Sequence, residues 1–209
     1  MGIIGVVNYG CGNIQSVINA IEFLGYEFRI IENEEQLFSC QKVILPGVGS
    51  FDYAIDALHS KGLFTAIQEW SKVQSNQLLG ICLGMQILCG ASDESLENKI
   101  GLSLVDAQVL SLSKKIQDDE KIPHMGWNEI KLSDNKVFSK ECGKHDYYFI
   151  HSYAVFVNNE KHSLAKTVYG DVLFSSMITN GKNLYGAQFH PEKSHGNGLN
   201  LLKDFIVNA

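Results

Sequence analysis

Three short stretches hold residues able to do covalent chemistry together. The first is Gly80-Ile81-Cys82-Leu83-Gly84, which closes the apolar run Gln77–Ile81. It has the Gly-x-nucleophile-x-Gly form of a nucleophile elbow, with cysteine in the serine position. A sharp strand-to-helix turn puts such a nucleophile at the C-terminal edge of a sheet, and small flanking residues let the backbone cross without a Cβ clash. A helix N-terminus after Cys82 favours a thiolate, and the Leu83 N–H can donate to an oxyanion. A core cysteine between two chance glycines fits the same five residues, so the pattern needs company. It has some in His190-Pro191-Glu192, at the end of the strand pattern from Asn183. Pro191 must end or turn that strand. A histidine at such an edge can act as general base to a cysteine. Glu192 can accept from its second ring nitrogen, fixing the tautomer and stabilising an imidazolium. The third stretch, Leu45-Pro46-Gly47-Val48-Gly49-Ser50-Phe51, is a glycine loop able to turn a backbone N–H toward an oxyanion, or simply a tight turn.

Elements that would position these residues can be read from hydrophobic spacing. Residues 3–8, 26–31, 42–45 and 77–81 read as short buried strands. Ile14, Val17, Ile18, Ile21 and Leu24 recur at helical spacing and stop at Gly25. Ala54, Ile55 and Leu58, then Leu63, Phe64, Ile67 and Trp70, suit further helices, and another starts at Leu83. Strands alternating with helices predict an α/β fold with a mainly parallel central sheet flanked by helices. From Gly101 the chain changes character. The runs 102–112, 127–132, 147–157, 164–169 and 184–189 are β-rich and separated by turn residues, predicting additional antiparallel strands in the second half. Residues 199–207 read as a closing helix. With no repeat or long linker, the expectation is one domain over 1–209.

Composition removes several function classes. The net charge is −6, and sixteen of the seventeen basic residues are scattered lysines, with Arg29 the only arginine. No basic stripe argues for nucleic acid. The N-terminus lacks the basic region of a signal peptide, and no apolar run approaches the ~20 residues of a spanning helix. A soluble, cytoplasmic protein is expected. The five cysteines, at 11, 40, 82, 89 and 142, form no C-x-x-C pair, which argues against a disulfide framework or zinc site. The loop Asn8-Tyr9-Gly10-Cys11-Gly12-Asn13 lacks the third glycine of a dinucleotide fingerprint, and Gly47–Gly49 lacks the lysine of a P-loop. No metal or cofactor is expected.

Taken together, the elbow at Cys82, the Gln188–Glu192 stretch and the Pro46–Gly49 loop resemble the triad-type (class I) glutamine amidotransferases. The stretches 8–17, 44–54, 123–128, 147–155 and 188–194 look like those of the glutaminase subunits of imidazole glycerol phosphate synthases. The resemblance runs from Asn8 to Phe205. It implies hydrolysis of glutamine to glutamate and ammonia by a Cys82-His190-Glu192 triad. It also implies an oxyanion held by backbone N–H groups at Leu83 and the Gly47-Val48 loop. By the same resemblance Gln86, Ser152 and Tyr153 would contact the substrate. Met125, Gly126, Trp127, Asn128, Tyr148 and Lys193 would meet a (β/α)₈-barrel cyclase subunit that receives the ammonia in a heterodimer. From sequence alone Trp127 fits a core position as well as an interface anchor, and Tyr153 fits a packed strand residue. Cys11 is given no role. The isolated subunit would be nearly silent, because the Pro46–Gly49 loop would need to reorient before donating. Other readings stay open: a paralogue feeding ammonia to a synthase of surface-sugar biosynthesis, a stand-alone γ-glutamyl cysteine hydrolase, and a non-catalytic binding module.

Overall fold

Short apolar runs in the first half pair side by side as parallel strands. The computed structural model describes residues 2–10, 12–117 and 120–209, so Cys11 lies outside the described residues. In chain order, β1 is Ile4–Val7, α1 Ile14–Phe23, β2 Phe28–Ile31, α2 Glu34–Phe38 and β3 Lys42–Leu45. There follow α3 Phe51–Ser60, α4 Leu63–Trp70, β4 Gln77–Ile81 and α5 Leu83–Ile87. The second half holds β5 Ala107–Ser111, β6 His124–Glu129, β7 Lys131–Leu132, β8 Asp146–His151, β9 Tyr153–Val157, β10 Ser163–Tyr169, β11 Val172–Thr179 and β12 Leu184–Ala187. The last element is α6, His195–Asn208.

The main sheet has the order β2-β1-β3-β4-β12-β11-β10-β7, with β9 and β5 branching from β11. The five strands from β2 to β12 are parallel, and those beyond are antiparallel. A separate antiparallel ribbon joins β6 to β8. This is the expected α/β architecture. Alternate residues of the parallel strands face opposite layers. Val6, Ile44, Leu79 and Ile81 pack with α1 and α6, whereas Val7, Val43, Leu45 and Leu78 pack with α3 and α4. Each such side chain contributes about 1.5–3 kcal/mol on burial. Trp70 anchors the second layer, fully buried with its Nε1–H donating to the Cys40 carbonyl at 2.9 Å. Among the described residues no helix is long and apolar enough to cross a membrane.

Several elements depart from the sequence reading. Helix α2 was not expected, because its five residues bury only Leu37 and so show no period; the Asn33 side chain caps it by accepting from the Gln36 N–H. Strand β11 is not among the runs read from the sequence; in it Ser175 and Ser176 interrupt an otherwise apolar stretch. Both are buried within it, and the Ser175 hydroxyl bonds that of Ser163 at 2.9 Å. The run 102–112 gives a strand only over Ala107–Ser111, and 147–157 breaks at Ser152 into β8 and β9. Likewise 127–132 divides between β6 and β7. Helix α6 begins at His195, four residues before its apolar face.

Candidate active site

Strand β4 lies between β3 and β12, all three parallel, so the segments leaving their C-terminal ends are neighbours. The register pairs Leu45 with Gly80 and Ala187 with Ile81. Adjacent strands are about 4.8 Å apart, so this topology alone brings together the loop after Leu45, the turn at Cys82 and the His190 segment.

At the turn, Cys82 itself adopts φ 53° and ψ −109°, and its N–H still bonds the Ala187 carbonyl at 2.8 Å. The two glycines serve clearance. A Cβ on Gly80 would meet the Gly84 carbonyl at 2.6 Å, and one on Gly84 would collide with the Leu45 carbonyl. Cys82 is 7% exposed and lines a cavity of about 460 Å³. Helix α5 has only five residues, so its dipole offers the thiolate less than the sequence suggested.

The His190 Nδ1 lies 2.7 Å from Glu192 Oε1, with both side chains almost fully buried. Strand β12 ends at Ala187 and a 3₁₀ turn over Pro191–Lys193 swings Glu192 back under the imidazole. The other ring nitrogen, Nε2, is buried and, among the described residues, has no partner of regular hydrogen-bond geometry; the same holds for Glu192 Oε2. Burial alone would push the imidazole toward neutrality. Its interactions with Cys82 and then Glu192 outweigh that and carry the His190 pKa up to about 10. The arrangement favours the imidazolium form of His190, backed by the Glu192 carboxylate.

The remaining expected site residues fall unequally. Val48, Leu83, Gln86, Ser152, Tyr153 and Lys193 line the same cavity. Gly47 sits one layer behind, where a Cβ would meet Tyr9 Oη at 2.6 Å, Gly84 N at 2.9 Å and Leu83 Cβ at 3.0 Å. Only glycine therefore fits between the loop and the elbow. Gly49 has φ 110°, so the loop also turns on a left-handed residue. Gln86 is held from within the protein, its Nε2 donating to the Tyr153 carbonyl at 3.0 Å and to Gln188 Oε1 at 3.1 Å. Met125 and Trp127 project outward from β6, 58% and 47% exposed, so Trp127 is not a core residue. Its ring stacks on His195 and meets the edge of Tyr148, which is half-buried. Asn128 instead turns inward, donating to the Val168 carbonyl.

Gln188, Glu94, Ile150 and His151 belong to the site and were missed by sequence reasoning, the first two being the most telling. Gln188 is fully buried, with Nε2 at 3.8 Å from the Cys82 sulfur. Its position two residues before His190, just past the end of β12, was the available signal. Among the described residues Glu94 is the one acidic residue lining the cavity, and burial raises its carboxyl pKa. It lies in an irregular segment with no periodicity, so nothing in the sequence marked it.

The geometry agrees with what the chain resembles among known proteins. The model of the family "Glutamine amidotransferase class-I" matches residues 5–209. The imidazole glycerol phosphate synthase subunit HisH 2 of Methanococcus maripaludis is 38% identical over 99% of this chain and 100% of its own length. The subunit HisH of Prochlorococcus marinus is 41% identical, covering 99% and 98%. A crystal structure of a glutamine amidotransferase superposes with TM-score 0.76 at 19% identity, covering 98% of this chain and 97% of that one. That likeness concerns the fold. Strand order, the cysteine elbow and full-length similarity thus converge, and the chain belongs to the class-I glutamine amidotransferase family.

Proposed function

We propose that the chain is a single amidotransferase domain acting as the glutaminase subunit of an imidazole glycerol phosphate synthase. Its full-length relatives carry that subunit's name. The observation that carries the chemistry is the buried His190, bonded to Glu192 on one nitrogen and interacting with Cys82 across the cavity.

In this reading the Cys82 thiolate attacks the side-chain carbonyl carbon of glutamine, forming a C–S bond. The resulting oxyanion is held by the Leu83 N–H and the Gly47-Val48 backbone. His190 gives its proton to the amide nitrogen, the C–N bond breaks, and ammonia leaves a γ-glutamyl thioester on Cys82. His190, now neutral, takes a proton from water, whose oxygen attacks the thioester; collapse expels the Cys82 thiolate and releases glutamate. Glu192 keeps the His190 Nδ1 proton in place and stabilises the imidazolium. Ser152, Tyr153 and Gln86 line the substrate, and the Glu94 carboxylate faces its α-ammonium.

Ammonia set free in water would be protonated and diluted, so a receiving subunit is part of the function. We assign that role to a (β/α)₈-barrel cyclase docked on the exposed Met125 and Trp127 beside Tyr148 and Lys193, completing a heterodimer of histidine biosynthesis. The test is Cys82→Ala in complex with that cyclase. Glutamine-dependent synthesis should be abolished and ammonia-dependent synthesis retained. Loss of both would make Cys82 an assembly residue and overturn the reading.

A further inference from the structure

Two buried histidines that the mechanism does not use lie at the glutamine cavity, His151 in its wall and His124 behind His151. His124 on β6 is 2% exposed and His151 at the end of β8 is 6% exposed. His124 is clamped between the rings of Phe149 and Tyr169, at centroid distances of 4.7 and 4.0 Å. Its Nδ1 lies 3.1 Å from His151 Nε2, and its Nε2 lies 3.2 Å from Asn128 Nδ2. His151 Nδ1 lies 2.8 Å from the Tyr153 carbonyl oxygen.

The direction of every bond in this chain is fixed by its two ends. The Tyr153 carbonyl can only accept, so His151 carries its proton on Nδ1 and leaves Nε2 as a lone pair. At the far end, the Asn128 amide cannot be reversed. Its Nδ2 must donate to the Val168 carbonyl at 2.9 Å, and its Oδ1 accepts from the Glu129 N–H at 2.8 Å. His124 Nε2 therefore accepts, and its proton sits on Nδ1, aimed at the His151 lone pair. The two ends dictate the same arrangement independently. An added proton on either ring would set two N–H groups face to face somewhere along the chain.

We propose that His124 and His151 are positioning residues: a one-directional chain of hydrogen bonds from Asn128 through both imidazoles to the Tyr153 carbonyl holds the pocket segment Ser152–Tyr153 in place from the exposed strand β6. Gln86 donates to the same carbonyl from the other side, so the chain sets where the oxygen receives it. The pocket role rests on the glutaminase reading; the proton order does not.

Nitrogen-15 correlation spectra of histidine-labelled protein at neutral pH should show both rings in the less common Nδ1–H tautomer. An Nε2–H or doubly protonated ring at either position would overturn the chain. The pocket role is read, in the complex with the acceptor-loaded cyclase, from covalent labelling of Cys82 by 6-diazo-5-oxo-L-norleucine, a glutamine-analogue electrophile. His151→Phe should raise the half-saturating concentration about tenfold, the equivalent of one lost hydrogen bond, with the limiting rate unchanged. His151→Asn keeps a donor near the Nδ1 position and should restore most of the affinity. His124→Phe, which touches no substrate, should weaken labelling in the same sense. Iodoacetamide alkylation should be equal in all four proteins. Wild-type affinity in His151→Phe or His124→Phe would overturn the pocket role. Failure of the wild type to label with the analogue, while iodoacetamide still reacts, would instead overturn the glutaminase reading; the spectra decide the chain in every case.

Discussion

A non-glycine residue at φ 53° costs about 1–3 kcal/mol, and here that residue is Cys82. The surroundings keep it there: β4 and β12 bond it on one side, and the close passage of Gly84 under β3 leaves the chain no wider turn. The sequence marked Cys82 as the candidate nucleophile but not this strain, because strain is a property of the three strands meeting. Glu192 was legible as a partner of His190; its confinement beneath the imidazole was not, since a 3₁₀ turn produces it. Glu192→Gln keeps an acceptor for Nδ1 but removes the charge. Glutaminase kcat should fall on the order of 10²-fold or more with KM little changed, as steady-state assays would read. The buried histidines also set a pH dependence. Burial lowers the His124 pKa to about 4 and the His151 pKa to about 3. Below pH 6.5 the unfolded chain takes up these protons first, so each ring costs up to about 1.4 kcal/mol of stability per pH unit until it protonates in the native state. His190 has the opposite sign: its raised pKa contributes fully below 6.5 and is lost as pH rises through about 10. Urea midpoints should therefore fall between pH 7 and pH 5, and His124→Phe should flatten that fall.

The strands were legible where their environment is uniform. Runs such as Val43–Leu45 and Leu78–Leu79 are apolar because both faces are covered, and each was placed within a residue or two. What stayed hidden were elements whose character comes from neighbours: β11, whose central serines are buried, and the break at Ser152 that divides β8 from β9. The elbow glycines give a contrast that tests the packing argument. Gly84→Ala forces a methyl into the backbone of β3 and should destabilise by about 1–3 kcal/mol or more, with loss of activity. Gly196→Ala, in α6 with open space where its Cβ would go, should be neutral or stabilising by up to about 1 kcal/mol. Thermal melts of the two variants separate close backbone passage from helix propensity.

For the molecule as a whole, the outward residues of β6 put large apolar side chains into solvent beside the cavity mouth. Trp127 is anchored by its stack on His195 and is already in place for a partner. Trp127→Ala should weaken cyclase binding by about 2 kcal/mol, roughly thirtyfold by calorimetry, while moving the melting temperature little. Glutaminase turnover should rise steeply when the acceptor-loaded cyclase binds; equal turnover alone and in the complex would remove the case for partner control. One feature of the sheet reaches beyond catalysis. Strand β12 inserts between β4 and β11, so Gly80 waits for Gly186, a separation of 186 − 80 = 106 residues. On a growing chain, β4 is therefore an apolar open edge until the last strand leaves the ribosome, and a barrier of this kind slows assembly. Cys82 meets His190 only when the sheet closes, so a chain cut before β12 would lack that imidazole and should not label at Cys82 with a glutamine-analogue electrophile.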